Sequence, residues 1–112
     1  MDDRTRMQEQ LATIGERYLR RTLGELVRLK ELHAQVRSGS QQALKDLETI
    51  VHRVHGSGAM FGFDEVSQYA HSCEILCAEA AADPQVGPKL DAALHALESS
   101  LLGAARARGI EA

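Results

Sequence analysis

Ile50-Val51-His52-Arg53-Val54-His55-Gly56-Ser57-Gly58-Ala59-Met60-Phe61-Gly62-Phe63 is the stretch that decides how this chain folds. At helical spacing, Leu44, Leu47, Val51, Val54, Gly58 and Phe61 fall on one stripe with alternating gaps of three and four. His52 sits about 100° round from Val51. That is the edge of the stripe, where the core supports a ring that solvent still reaches. Gly56 is one turn further on. Helical side chains lean towards the amino terminus, so position 56 is the one that would cover the His52 ring. Glycine there leaves the imidazole open. A mid-helix glycine costs about 1 kcal/mol relative to alanine, and this helix carries two, Gly56 and Gly58. Two destabilising residues beside one histidine point to access or close approach.

On the amino-terminal side, residues 2–37 read as helix throughout. Leu11, Ile14, Tyr18, Leu26, Leu29 and Val36 form a heptad-like face, widened by Leu19, Leu23 and Leu32. Gly15 and Gly24 mark places for a break. Arg17, Arg20, Arg21 and Arg28 crowd the outer side, which suits a solvated face or electrostatic steering of an acidic partner. Ser38-Gly39-Ser40 is the first turn, and Ser40 is a good cap for the central helix over 41–61. Gly62 is placed as its left-handed terminator. Asp64 is expected to cap the next helix, over 65–82, whose buried stripe is Val66, Tyr69, Ala70, Cys73, Leu76, Cys77 and Ala80. The connector 83–88 holds both prolines, Pro84 and Pro88. A last helix over 89–106 turns Leu90, Leu94, Leu97, Leu101 and Ala105 inwards. Short connectors between long amphipathic helices predict an all-α, antiparallel four-helix bundle with an additional amino-terminal helix.

Composition agrees. The 112 residues make one domain, 1–112, with a single core. The hydrophobic fraction is 44% but only 4% is aromatic, so the core is built from Leu, Ala, Val and Ile. A net charge of −3 gives no basic face for nucleic acid. No apolar run approaches the roughly 20 residues that span a membrane, and Met1-Asp2-Asp3-Arg4-Thr5-Arg6 lacks the apolar segment of a signal peptide. Cys73 and Cys77 lie one turn apart on one helix, a pattern that suits a reducing compartment. A cytoplasmic location is therefore expected.

A lone imidazole is a competent nucleophile near neutral pH, because its unperturbed pKa is about 6.5. Attack on a phosphoryl donor gives a phosphoramidate that is passed on. Such a ring needs a carboxylate on one nitrogen to hold the other nitrogen's lone pair outward. Glu74 fills that role by counting. His52 lies ten residues before Gly62 and Glu74 twelve after it, so the two sit at similar heights on facing helices. By the same count His71 falls near His55, giving a polar cluster of His52, His55, His71 and Glu74. A zinc set of His52, His55, Cys73 and Cys77 is the rival constellation. It is set aside because both cysteines share the apolar stripe. No metal and no cofactor are expected.

His-Arg-Val-His-Gly-Ser-Gly-Ala-Met-Phe-Gly-Phe over 52–63 resembles the signature of histidine-containing phosphotransfer (HPt) domains. That signature runs histidine, any residue, an aliphatic, usually lysine, glycine, a small residue, then a hydrophobic residue before a glycine. His55 stands where the family usually has lysine. Phe61-Gly62-Phe63, with His71 and Glu74, is similar more narrowly to the amino-terminal phosphotransfer domain of chemotaxis-type histidine kinases.

The resemblance implies that His52 is phosphorylated by the ATP-binding catalytic domain of a histidine kinase and yields the group to an aspartate of a response-regulator receiver domain. It implies that Glu74 contacts the phosphorylatable histidine. The docking surface is expected around His52, with Arg53, Gly56, Ala59 and Met60 from the central helix and Arg17 and Arg21 from the first. The chain has no glycine-rich nucleotide motif, so it is expected to be a phosphocarrier and not a complete enzyme. The alternatives are an excised phosphotransfer domain of a larger chemotaxis kinase, and a helical adaptor that is never phosphorylated.

Overall fold

The computed structural model describes residues 2–111. Five α-helices run α1 (Asp3–Gly24), α2 (Leu26–Arg37), α3 (Gln41–Met60), α4 (Asp64–Ala82) and α5 (Gly87–Ala107), with a short 3₁₀ turn at Pro84–Val86 before the last. There is no strand among the described residues. Helices α2 to α5 are the expected antiparallel bundle. Each packs on the next, and α2 meets α5 to close the ring. Helix α1 is the additional amino-terminal helix, and it forms with α2 one long rod bent at Glu25. Thr22 hydrogen-bonds back to the Tyr18 carbonyl (2.8 Å), an interaction that bends helices. The Glu25 amide reaches both Thr22 and Leu23 carbonyls, tightening the turn beside Gly24. Of the two glycines expected to mark a break, Gly24 does so, while Gly15 lies within α1.

The connections are short because glycine ends three of the helices in the same way. Gly39, Gly62 and Gly109 have φ of +96°, +84° and +71°, the left-handed region that glycine enters without steric cost. At the α3 terminus the Phe63 amide donates to the Gly58 carbonyl (2.8 Å) and the Gly62 amide to the Ala59 carbonyl (3.2 Å). These two bonds satisfy orphan carbonyls and reverse the chain. Ser40 caps α3 as expected, its hydroxyl accepting from the Ala43 amide (3.1 Å).

Asp64 does not cap α4. It is the first helical residue, Phe63 holds the cap position, and no side-chain cap bond forms there. Asp64 and Glu65 act instead as first-turn anions, which the positive end of the helix dipole favours.

The core is aliphatic, with Leu19, Leu32, Leu47, Val51, Val66, Leu90, Leu97 and Leu101 fully buried beside Cys73 and Cys77. Four residues expected on inner faces lie outside, among them Phe61 at the end of the α3 stripe. Leu11 and Ile14 are exposed, as is Tyr69 on α4. Residues 3–14 of α1 are exposed throughout and project from the bundle, giving the molecule extents of 56 × 22 × 19 Å. No neighbouring helix reaches that far, so an apolar stripe there finds nothing to pack on. The first contact comes at Gly15, where an added Cβ would lie 3.0 Å from the Arg108 guanidinium. From there Tyr18 stacks on Phe61 (4.8 Å) and Phe63 (5.6 Å), and Arg108 covers the other ring of that pair, Phe63, at 4.8 Å. This aromatic layer seats α1 against the α3–α4 turn.

Candidate functional site

The α3–α4 hairpin brings the four polar residues together. Gly58 makes this possible, since a Cβ there would lie 3.2 Å from the Ser67 backbone nitrogen and 3.3 Å from its Cβ. With hydrogen in its place the helices approach closely, and the Ser67 hydroxyl donates to the His55 carbonyl (2.6 Å). Above this pin, His52 Nδ1 lies 2.7 Å from Glu74 Oε1. His55 Nδ1 lies 3.2 Å from Glu74 Oε2. One carboxylate thus serves two imidazoles. The His71 ring packs on His55 with centroids 4.4 Å apart and planes tilted by 38°, so His71 stands one step removed from His52.

Electrostatics define the state of the pair. The His52 hydrogen bond holds the Glu74 carboxyl below its ordinary range, opposed by burial and helped by His55. An ionised carboxylate only accepts, so His52 Nδ1 is the donor of this contact, and in a neutral ring the lone pair then lies on Nε2. The His52 side chain is 71% exposed and Glu74 24%, so the outer edge of the ring is wet while its anchor is sheltered. Gly56 leaves the space beside it open, with no atom within 4 Å of where a Cβ would stand.

His52, Gly56, Ala59 and Met60 form a continuous exposed strip along α3. Arg53 points the other way, towards α1, and pairs with Glu25 at 3.9 Å. It shares with Tyr18, Arg21 and Ser57 a groove of about 220 Å³. Arg17 and Arg21 flank a second groove of about 220 Å³ with Ile14 and Phe61. The arginines therefore border the aromatic layer, next to the His52 strip and apart from the ring itself. A hollow of about 670 Å³ lies away from His52 at the α4–α5 end, near Glu65, Tyr69 and Gly103.

Three residues outside the sequence-based set support the site. Ser67 pins the His55 carbonyl, Ser57 bonds the Arg53 carbonyl (2.7 Å), and Ser57 and Tyr18 share a hydroxyl hydrogen bond (3.0 Å). Ser67 had a signal in the chain, a small residue opposite Gly58; the Tyr18 link, across 39 residues, had none. Cys73 and Cys77 are fully buried, and desolvation pushes both thiols up to about 12. They belong to the core, and the rival histidine–cysteine set does not assemble.

This bundle, with a carboxylate-anchored and solvent-facing imidazole on its central hairpin, is the architecture of a phosphotransfer module. The Hpt domain family matches residues 4–101, and the chain belongs to that family. Membership implies histidine phosphotransfer in a phosphorelay, a two-component type of signalling in which such domains interact with kinases and response regulators. Comparison with curated proteins and with solved structures returned no match. Among the described residues, no helix is long and apolar enough to cross a membrane.

Proposed function

We propose that His52 is the phosphoryl carrier of this domain, and that residues 1–112 act as one phosphotransfer unit. The observation that supports this most is the His52 Nδ1–Glu74 Oε1 contact of 2.7 Å, which turns Nε2 outward. Nε2 attacks the γ-phosphorus of ATP held by a kinase catalytic domain. The N–P bond forms as the P–O bond to ADP breaks, and Glu74 stabilises the charge gained by the ring through the Nδ1–H bond. In the outgoing step a receiver aspartate attacks the same phosphorus, and the electron pair of the N–P bond returns to Nε2. His55 is in place to help neutralise phosphoryl oxygens where the family usually has lysine. His71 steadies His55. Gly56, Ala59, Met60 and Arg53, with Arg17 and Arg21, form the docking surface, an apolar patch ringed by charge that suits a transient complex.

Phe61-Gly62-Phe63, His71 and Glu74 favour a chemotaxis-type kinase as the phosphoryl source. The cytoplasm is the proposed compartment, where ATP-dependent kinases operate. Intact mass after treatment with a small phosphoramidate donor tests the carrier. One acid-labile, base-stable adduct is expected on the wild-type protein and none on a folded His52→Gln variant. A wild-type domain that stays unmodified, or a variant that is still modified, would overturn the assignment. In the first case the non-phosphorylated adaptor takes its place.

A further inference from the structure

We propose that His55, His71 and Glu74 form a binding site for a divalent transition-metal ion of the zinc type, sharing its carboxylate with His52. Each of the three offers one ligand atom, and these atoms lie within 4.8 Å of one another. Two are already close to metal-ligand separation. His55 Nδ1 and Glu74 Oε2 are 3.2 Å apart, against an edge of about 3.3 Å for two ligands about 2.0–2.1 Å from a tetrahedral zinc. A metal ion would take the place of the proton between them.

The third ligand is free to move in. His71 makes no hydrogen bond among the described residues and is placed by its stacking on His55. It stands one helical turn from Glu74 on α4, so both side chains leave the same face. Closing the set breaks no hydrogen bond of His71. Below the cluster, the Ser67 hydroxyl fixes the His55 backbone, the kind of outer support that orients ligands.

The donor chemistry selects the ion. Two imidazoles and one carboxylate, with a fourth position open to water, are the donors of three-ligand zinc sites. Magnesium and calcium call for oxygen ligands, which this cluster does not supply in number. The buried thiols of Cys73 and Cys77 take no part. The zinc set of His52, His55, Cys73 and Cys77 was already set aside on the sequence, and it is the polar cluster expected there that supplies His55, His71 and Glu74.

Binding here acts on His52. With Oε2 on the metal, Oε1 still faces His52 Nδ1, but a carboxylate shared with a divalent cation is a weaker acceptor. The cation also sits near a ring that gains positive charge as it is phosphorylated. Zinc should therefore slow phosphorylation of His52. That consequence rests on the phosphotransfer reading; the binding itself does not.

The test is a titration of the chelator-stripped full chain with zinc against a chromophoric competitor. One ion per chain is expected. His71→Ala and His55→Ala should each weaken binding by more than the roughly 10–100-fold that loss of an outer-shell partner costs. His33→Ala and His95→Ala, which remove the histidines elsewhere on the bundle, should leave it unchanged. Circular dichroism of each variant checks the fold. Absence of stoichiometric binding, or equal loss with His33→Ala or His95→Ala, would overturn the site. Phosphorylation with and without zinc is then compared, and the ratio should approach one in His71→Ala. A zinc-binding protein that is never phosphorylated would refute the carrier and leave the metal site standing. A phosphorylated protein that binds no zinc would do the reverse.

Discussion

His52 combines two demands that usually conflict. Its ring is open to solvent, yet Glu74, 2.7 Å from Nδ1, holds it in one orientation. Removing the anchor should leave a nucleophile that is present but disordered. Glu74→Ala is expected to lower the rate of phosphoryl uptake about 10- to 100-fold, the kinetic equivalent of one charge-assisted hydrogen bond. Rapid-quench comparison of variant and wild type measures it, and an unchanged rate would remove Glu74 from the mechanism. The same contact has a pH signature. Glu74 is held below its ordinary value of 4.5, so its native-state contribution is complete above about pH 4.5. It is lost as pH falls through the lower folded value. The stability difference between wild type and Glu74→Ala should shrink across that acid range in urea titrations. A difference that grows in acid would contradict the assignment.

At the scale of the element, α3 carries two glycines for different reasons. Gly56 faces open space, whereas Gly58 faces the Ser67 backbone. Gly56→Ala should stabilise the fold by up to about 1 kcal/mol, the gain in helix propensity. Gly58→Val should destabilise it, because neither backbone can yield without separating α3 from α4. Thermal unfolding of the pair decides this. If both substitutions moved the midpoint the same way, the distinction between access and close approach would fail. The register of this hairpin was legible in the chain, since the Gly62 turn is local and residue counting from it pairs His52 with Glu74. The role of Asp64 was not, because a capping residue is defined by the backbone geometry of the preceding turn, and Phe63 takes that place.

Across the whole molecule, stability and reach are separated along the first rod. Residues 3–14 stand clear of the bundle, while Leu19 is fully buried. Deleting residues 2–13 should therefore leave the unfolding midpoint nearly unchanged. Leu19→Ala should cost about 2–5 kcal/mol, the usual range for opening a cavity in a packed core. Denaturant titration of both proteins is the measurement, and a large loss on deletion would mean that the arm packs on the bundle in solution.

The sequence by itself determined the helices, their order, the Gly39 and Gly62 reversals and the height match of His52 with Glu74. All of these follow from periodicity, turn chemistry and chain distance, which are local quantities. Only the tertiary structure decided that Leu11, Ile14 and Tyr69 face solvent, that Tyr18 reaches Ser57, and that one carboxylate serves both His52 and His55 with His71 stacked behind. Periodicity says which residues share a face of a helix. Whether a neighbour stands there to cover that face, and at what angle it arrives, is settled by packing between elements distant in the chain.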